Sequence, residues 1–201
     1  ELLTLKNILI GEVWFCSGQS NMEMPMSGFD RQPTQGTNDV IAKAKASTPI
    51  RIYNTDSKDG KWIRQFSKTP EEDCKGEWLE NTPVNVSHTS ATAYFCARYL
   101  QEVLEVPVGI IISSLGGSKV EAWMSREAIT PFKSIDLSIL NNNEPIKNIT
   151  ATPCVLYNSK IAPFTNFTIK GFLWYQGESN RDNVDLYKDL MPVFVKDIRN
   201  K

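Results

Sequence analysis

Three apolar, β-prone runs in the sequence each end abruptly in a cluster of small polar residues. Continuous apolar runs of this length are typical of strands that are buried on both faces of a parallel sheet. The carboxyl ends of parallel strands share one edge of the sheet, so the three clusters are predicted to meet there. The runs are Ile8 to Phe15, Val108 to Ser114 and Ile169 to Tyr175. The clusters are Gly18-Gln-Ser-Asn21, Gly116-Gly-Ser118 and Gln176-Gly-Glu-Ser-Asn180.

The segments between these runs carry helical patterns, and strands that alternate with helices predict an α/β fold. We expect residues 1–201 to form a single, partial domain: a three-layer α/β/α sandwich with a parallel sheet. A polar, turn-rich excursion is expected at about residues 54–81, with a hairpin turn at Asp59-Gly60. The other predicted elements are the strand Ile50 to Tyr53 and the helices Val40 to Ala46 (capped by Asn38 or Asp39), Ser87 to Glu105, Val120 to Ile129, Leu156 to Ala162 and Asp185 to Arg199.

The charge balance argues against several classes of partner. The 22 basic and 23 acidic residues give a formal net charge of −1, so no basic face for nucleic acid or for an anionic membrane is implied. No apolar run approaches the roughly 18 residues that a membrane-spanning helix needs. We therefore expect neither nucleic acid nor a membrane as a partner.

The four cysteines do not have the spacing of a zinc site. Cys16 lies in the first apolar run and Cys96 in the best amphipathic helix, so both are predicted to be small buried hydrophobic residues. Cys74 and Cys154 lie in polar, loop-like surroundings, where either a disulfide or two free thiols is compatible with the sequence. No metal site is predicted.

Ser20 has the position that a nucleophile would need, two residues after the glycine that ends the first run. An ester hydrolase requires a serine oxygen, donors for the oxyanion and a base. The amide N–H groups of Ser20 and Gly117 are candidate donors. The side-chain amide of Asn180, or that of Gln176, is another. Plainer explanations exist for each feature: a polar turn at Ser20, a strand-to-helix turn at Gly116-Gly117 and a helix cap at Asn180. Their occurrence after three separate strands favours the enzymatic interpretation.

These blocks of sequence resemble those of the sialate O-acetylesterases. This family belongs to the SGNH (GDSL-like) hydrolases and is similar to some acetylxylan esterases. The resemblance extends from about residue 8 to the end of the sequence. It is carried by Gly18-Gln-Ser-Asn-Met22, Ser113-Ser-Leu-Gly-Gly117 with Val120-Glu-Ala-Trp-Met-Ser125, Leu156-Tyr-Asn-Ser-Lys-Ile-Ala-Pro163 and Trp174-Tyr-Gln-Gly-Glu-Ser-Asn180.

The resemblance implies a flavodoxin-like SGNH fold and hydrolysis of O-acetyl esters on a carbohydrate, either sialic acid or a polysaccharide such as xylan. It implies Ser20 as the nucleophile of an acetyl-enzyme, with the Ser20 and Gly117 amides and a side chain of the third block, Asn180 or Gln176, around the oxyanion. The expected partner is an acetylated sugar or glycan, and no cofactor is expected. A secreted, periplasmic or lysosome-like location is also favoured by the resemblance.

The base of the family comes from a later Asp-x-x-His block, which these 201 residues do not contain. The one histidine, His88, precedes the predicted long helix in Val86-Ser-His-Thr-Ser90, where a surface or capping role is the more common one. We therefore expect a fragment that lacks the last part of its domain. It should be feebly active or inactive, because a serine hydroxyl without a base is a weak nucleophile.

Three residues beside the predicted nucleophile and in the third block are candidates for supporting the site. Gln19 and Asn21 flank Ser20, and Glu178 stands between the two predicted donors of the third block. A carboxylate at position 178 would either orient a base or hold the loop around it through backbone hydrogen bonds. The second, structural role is favoured.

Four further residues are candidates for substrate binding. Trp123, Trp174 and Tyr175 have rings that can stack on a sugar face, although core packing explains each of them equally well. Arg181 follows the third block, where it would either meet a sugar carboxylate or lie exposed at a helix start.

Two other classes of function compete with the acetylesterase. A catalytically inactive carbohydrate-binding relative would keep the pocket without the chemistry, which agrees with the absent Asp-x-x-His block. A lipase or thioesterase of the same superfamily is disfavoured, because the loops around the site are polar and aromatic, without a long apolar lid.

Overall fold

The computed structural model describes residues 4–58, 61–63 and 65–201, and it has an α/β architecture. The strands are β1 (Glu12–Gly18), β2 (Ile50–Asn54), β3 (Ser57–Lys58), β4 (Lys61–Trp62), β5 (Trp78–Glu80), β6 (Val108–Ser114) and β7 (Gly171–Tyr175). The helices are α1 (Ser20–Glu23), α2 (Asn38–Ala42), α3 (Pro83–Ser87), α4 (Ala91–Leu104), α5 (Arg126–Ile129), α6 (Val155–Lys160) and α7 (Val184–Arg199). Short 3-10 helices span Val120–Trp123, Ser138–Asn141, Ala162–Phe164 and Glu178–Asn183.

The main sheet has five strands in the order β5-β2-β6-β1-β7. Strands β2, β6, β1 and β7 are parallel, as predicted, whereas β5 pairs antiparallel with β2. The sheet is therefore mixed and not wholly parallel. An antiparallel neighbour needs no helical crossover, so the excursion after β2 can return and add an edge strand directly.

The register brings the three predicted strand ends to one level. Gly18, at the end of β1, pairs with Ser114 at the end of β6 and with Tyr175 at the end of β7. Because β1 lies between the other two strands, the residues that follow all three strands emerge side by side.

Successive side chains of the central strands enter two separate cores, one on each face of the sheet. Phe15 of β1 and Ile111 of β6 pack with residues of α5, α6 and α7. Cys16 of β1 and Ile110 of β6 pack on the other face with residues of α1, α3 and α4. This arrangement is the predicted three-layer α/β/α sandwich.

Several predicted helices begin or divide at a capping side chain. The predicted helix Ser87 to Glu105 is observed as α4, which begins only at Ala91 because the Ser90 side chain accepts a hydrogen bond from the Ala93 amide; Ser87 is the last residue of the preceding helix α3. The predicted helix Val120 to Ile129 divides, since Ser125 caps α5. The predicted capping of α2 was wrong: Asn38 is its first residue and Thr37 has the capping position.

The N-terminal run and the excursion also differ from expectation in part. Strand β1 begins at Glu12, and Ile8 and Ile10 before it are exposed. In the excursion, β3 and β4 pair antiparallel, which agrees with a hairpin. The predicted turn residues themselves, Asp59 and Gly60, lie outside the described residues.

The cysteines are free thiols, so the possible bond between Cys74 and Cys154 is not formed. Both of these side chains are buried, together with Cys16, while Cys96 is half-buried. Within the described ranges, no helix combines the length and the apolar character that crossing a membrane requires.

Candidate active site

The end of β1 lies so close to β7 that a side chain at position 18 would not fit. A Cβ atom on Gly18 would lie much closer to the Tyr175 carbonyl oxygen than the sum of the two van der Waals radii, and the φ of Gly18 is +145°. Glycine tolerates this backbone conformation because it has no Cβ. The chain continues as Gln19, whose amide donates to the same Tyr175 carbonyl at 3.0 Å. Ser20 is thereby held directly at the junction of β1 and β7.

Ser20 is the first residue of α1 and is half-buried. Its amide N–H has no intrahelical acceptor, because the first residues of a helix have none. On the other side of β1, the amide of Leu115 donates to the Gly18 carbonyl at 3.0 Å, which brings the chain after β6 alongside. A Cβ atom added to Gly116 would lie 3.8 Å from the Ser20 Cβ.

Gly117 turns the chain away from the end of β6 with a φ of +71°. Among the described residues, no atom lies within 4 Å of the place where its Cβ would stand. Among the same residues, the amide N–H groups of Ser20 and Gly117 donate to no backbone acceptor. Among the described residues, these two predicted oxyanion donors are thus not hydrogen-bonded to a backbone carbonyl.

The side chain of Asn180 is buried and connects the third block with the second. Its Oδ1 accepts from the Val120 amide at 3.0 Å and from Gln176 Nε2 at 2.7 Å, and its Nδ2 donates to Glu121 Oε2 at 2.8 Å. Since a carboxamide nitrogen carries two hydrogens, Asn180 Nδ2 retains one for a further acceptor.

The side-chain amide of Gln176, unlike that of Asn180, has both of its hydrogens engaged. Its Nε2 donates to the Ser118 carbonyl at 3.0 Å and to Asn180 Oδ1, so both hydrogens are used within the protein. The main-chain carbonyl oxygen of Gln176 accepts from the Tyr187 hydroxyl at 2.9 Å, and burial raises the pKa of that phenol, which keeps it protonated as a donor. Of the two candidate amides in the third block, Asn180 is the one with a hydrogen to offer.

The residues predicted to support the site connect the first block with the third. Gln19 is buried, and its Oε1 accepts from the amides of Gly177 at 3.3 Å and Ser179 at 3.1 Å. Asn21 Nδ2 donates to Glu178 Oε1 at 2.5 Å. The structure therefore brings Gln19, Asn21 and Glu178 together, with Glu178 in contact with the loop beside the nucleophile.

The four candidate substrate-binding residues have different environments. Trp123 is completely buried, with its indole N–H donated to Ser118 Oγ at 2.8 Å, so of the two roles left open for it the structure favours core packing. Trp174 packs against Phe194 with a centroid distance of 4.5 Å and is likewise part of a core. Tyr175 is 46% exposed beside the site, and Arg181 is exposed next to Asp182.

Glu23 was not among the predicted site residues, although it lies three residues after Ser20 and directly follows the first block. Its Oε2 accepts a hydrogen bond from the Gly116 amide at 2.6 Å. The signal that was available is the spacing, because positions i and i+3 share a face of a helix. The pattern does not show that the partner of Glu23 is Gly116, which lies 93 residues further along the chain.

A cleft of about 690 Å³ lies beside the site, above the carboxyl ends of β2 and β6. Glu23 and Ser114 line it on the side of the site, and Phe29, Leu79 and the exposed His88 are among its other walls. This volume is in the range of small-molecule sites. Asp56 also lines the cleft, and it forms a buried ion pair with Lys160.

Within the part of the chain that the structure describes, no three His, Cys, Asp or Glu side chains are grouped so that they could hold a metal ion.

The sequence matches a family model across residues 10–201, and the model describes a carbohydrate esterase, a sialic acid-specific acetylesterase. The chain belongs to this family. Named relatives of this acetylesterase family include the sialate O-acetylesterases of Pongo abelii and Homo sapiens, each 32% identical over 98% of this chain, and that of Mus musculus, 30% identical over 98%. The chain spans 37% of the length of the first two relatives and 40% of the third.

A solved structure of an acetylesterase has the same fold. The carbohydrate acetylesterase of Xanthomonas citri superposes with a TM-score of 0.77 at 28% identity, over 94% of this chain and 38% of that one. The likeness agrees with the sheet and helix layers described above and with the SGNH-type α/β fold that the motif blocks imply.

Proposed function

We propose that the protein hydrolyses O-acetyl esters on a carbohydrate through an acetyl-enzyme on Ser20. The observation that carries this proposal is the position of Ser20, where three strand ends meet beside the unengaged amide of Gly117. The family membership and the names of the relatives support the same class of reaction.

The proposed first step forms the acetyl-enzyme. The Ser20 Oγ attacks the acetyl carbonyl carbon while a base takes the hydroxyl proton, and the carbonyl oxygen becomes an oxyanion. The Ser20 and Gly117 amides and the remaining Nδ2 hydrogen of Asn180 donate to that oxygen. Each donor of this kind lowers the barrier by roughly 3 kcal/mol. The tetrahedral intermediate collapses, the C–O bond to the sugar breaks, and the sugar oxygen takes the proton from the protonated base.

The second step releases acetate. A water molecule attacks the carbonyl carbon of acetyl-Ser20, the same base takes a proton from it, and the oxyanion again meets the same donors. Collapse of the intermediate breaks the bond to Ser20 Oγ, which is reprotonated. In this proposal Gln19, Asn21 and Glu178 keep the first and third blocks at a fixed separation through the contacts described above. Tyr175 and Arg181 are exposed near the site and are the candidates for contact with the sugar.

Replacement of the nucleophile tests the proposal. In the natural protein that carries this sequence, Ser20→Ala should lower the release of acetate from acetylated xylo-oligosaccharides or 9-O-acetylated sialic acid by about 1000-fold or more. Ser47→Ala changes an exposed serine and serves as the control. Undiminished turnover in the Ser20→Ala protein contradicts the acetyl-enzyme. Sugar binding without any turnover in the unmodified protein supports the inactive carbohydrate-binding relative.

The base is tested separately, with the 201 residues by themselves. We expect slow hydrolysis of p-nitrophenyl acetate, because the sequence has no Asp-x-x-His block to activate the serine. A rate typical of an intact esterase that Ser20→Ala abolishes would contradict this expectation. If His88→Ala also abolished that rate, His88 would be assigned as the base, in agreement with its position in the cleft.

A further inference from the structure

The carboxylate of Glu23 joins the helix that begins at Ser20 to the loop that follows β6. Glu23 is the last residue of α1, and its Oε2 accepts the Gly116 N–H at 2.6 Å. Hydrogen bonds to an ionised acceptor are shorter and stronger than those between neutral groups. The bond crosses between two segments that are 93 residues apart in sequence, so it fixes their separation at the site.

The packing around Gly116 leaves no room for a side chain at this position. A Cβ atom at this position would lie 2.6 Å from Glu23 Oε2 and 3.8 Å from the Ser20 Cβ. The backbone of Gly116 is thus held against both residues of α1. The absence of a side chain is what lets the carboxylate reach the amide.

The peptide that follows Gly116 carries the N–H of Gly117. The far side of this loop is fixed by Ser118, whose hydroxyl donates to the Leu115 carbonyl at 2.7 Å and whose carbonyl accepts from Gln176 Nε2 at 3.0 Å. On the near side, the Gly116 amide is held by Glu23, and open space surrounds the Cβ position of Gly117 among the described residues. Movement of Gly116 would therefore move the Gly117 donor relative to Ser20.

We propose that Glu23 is a positioning residue for the ester hydrolysis: through the Gly116 amide it holds the Gly117 N–H at the distance from Ser20 that the oxyanion requires. This inference rests on the proposed function. Glu23 itself touches neither the reacting carbonyl nor the proton that Ser20 releases. Its effect should be seen in the chemical step and not in the binding of the sugar, because the donor acts on charge that develops in the transition state.

The test compares Glu23→Ala with Glu23→Gln in the natural protein. Alanine removes the acceptor, so kcat should fall by about tenfold or more while KM changes less than twofold. Glutamine keeps a carbonyl oxygen at the same distance along the side chain, so it should restore kcat to within about threefold of the unmodified protein. Glu127→Ala, which removes an exposed carboxylate on α5, is the matched control. Thermal unfolding of each variant shows whether the fold is kept.

A second arm uses Gly116→Ala. The added Cβ would displace the Glu23 carboxylate, the flexible partner in that contact, so kcat should fall as it does in Glu23→Ala. The double variant should be no slower than either single one, since both remove the same interaction. If the double variant instead lost kcat by the product of the two single losses, the two substitutions would act independently, and the proposed route through Gly116 would be overturned.

The remaining outcomes separate this inference from the proposed function. If Ser20→Ala is inactive while Glu23→Ala keeps its kcat, the nucleophile stands and the positioning role is overturned. Equal losses in Glu23→Ala and Glu23→Gln would also overturn it, because an acceptor alone would then be insufficient. If Ser20→Ala keeps full activity, the proposed function itself is contradicted, whatever the Glu23 variants show.

Discussion

Lys160 is a buried lysine that contacts two residues of the cleft. Its side chain is 1% exposed, and its ammonium group pairs with Asp56 and donates to the Ser114 carbonyl at 3.2 Å, at the end of β6. Lysine is almost never fully buried without a partner. The sequence of α6 alone therefore favours a surface position, and the partner that reverses this lies 104 residues away.

Replacing this lysine should be costly. Lys160→Met removes the ammonium group from its ion pair with the buried Asp56 carboxylate, and we expect a loss of about 3–5 kcal/mol in the free energy of unfolding, measured by urea denaturation. Adding Asp56→Asn to that variant should recover part of the loss, since neither member of the pair then carries a charge. Lys196→Met, at an exposed position of α7, should change stability by less than about 0.5 kcal/mol. A loss of similar size at both lysines would contradict this account.

At the scale of elements, the strands of the central sheet were predicted better than the helices. Strand β6 has the predicted bounds because a continuous apolar run is enough to define a strand buried on both faces. Strand β7 ends at the predicted residue, although its side chains are half-buried or exposed. The start of α4 after Ser90 and the helix break at Ser125 depend on which side chain caps a backbone amide, which apolar spacing does not show. Strand β5 was missed because it is three residues long at the edge of the sheet.

Helix α7 covers the site-bearing strand β7 and should be the element whose packing matters most to that face. Phe194 is 2% exposed, and its ring lies 4.5 Å from that of Trp174 and 6.2 Å from that of Phe172. Phe194→Ala should therefore cost about 3–5 kcal/mol of stability in chemical denaturation. Phe95→Ala on α4 offers a matched control: its ring is 39% exposed, and the expected loss is about 1 kcal/mol. Equal losses would show that the α7 core is not packed as described.

At the scale of the whole molecule, the topology accounts for what was predictable in the site. The sequence predicted that the residues after β1, β6 and β7 would meet, since parallel strands end at a common edge. It did not predict the contacts that organise them. The bonds of Glu23 with Gly116 and of Asn180 with Glu121 connect segments 93 and 59 residues apart, and no local pattern specifies such partners.

The buried thiols should make the stability of the whole molecule fall with alkaline pH. Burial raises the pKa of Cys74 to about 11 and that of Cys154 to about 12, from 9.0. A group whose pKa is higher in the folded protein stabilises it fully below the unfolded pKa, and that contribution is lost as pH rises through the folded value. Burial also raises the pKa of Tyr53 and Tyr157 to about 12, from 10.0. The thiols therefore dominate the change between pH 8 and 10.

Urea unfolding measured from pH 7 to pH 10 checks this prediction. The free energy of unfolding should be nearly constant to about pH 8 and should then decrease, by up to about 1 kcal/mol for each of the two thiols at pH 10. The double variant Cys74→Ala, Cys154→Ala should show a shallower decrease over the same interval, because two of the groups that release protons on unfolding are gone, while Cys16, whose pKa burial also raises, remains. The comparison uses the slope with pH, since removing two buried side chains also lowers stability at every pH. Parallel curves for the two proteins would assign the alkaline loss to other groups.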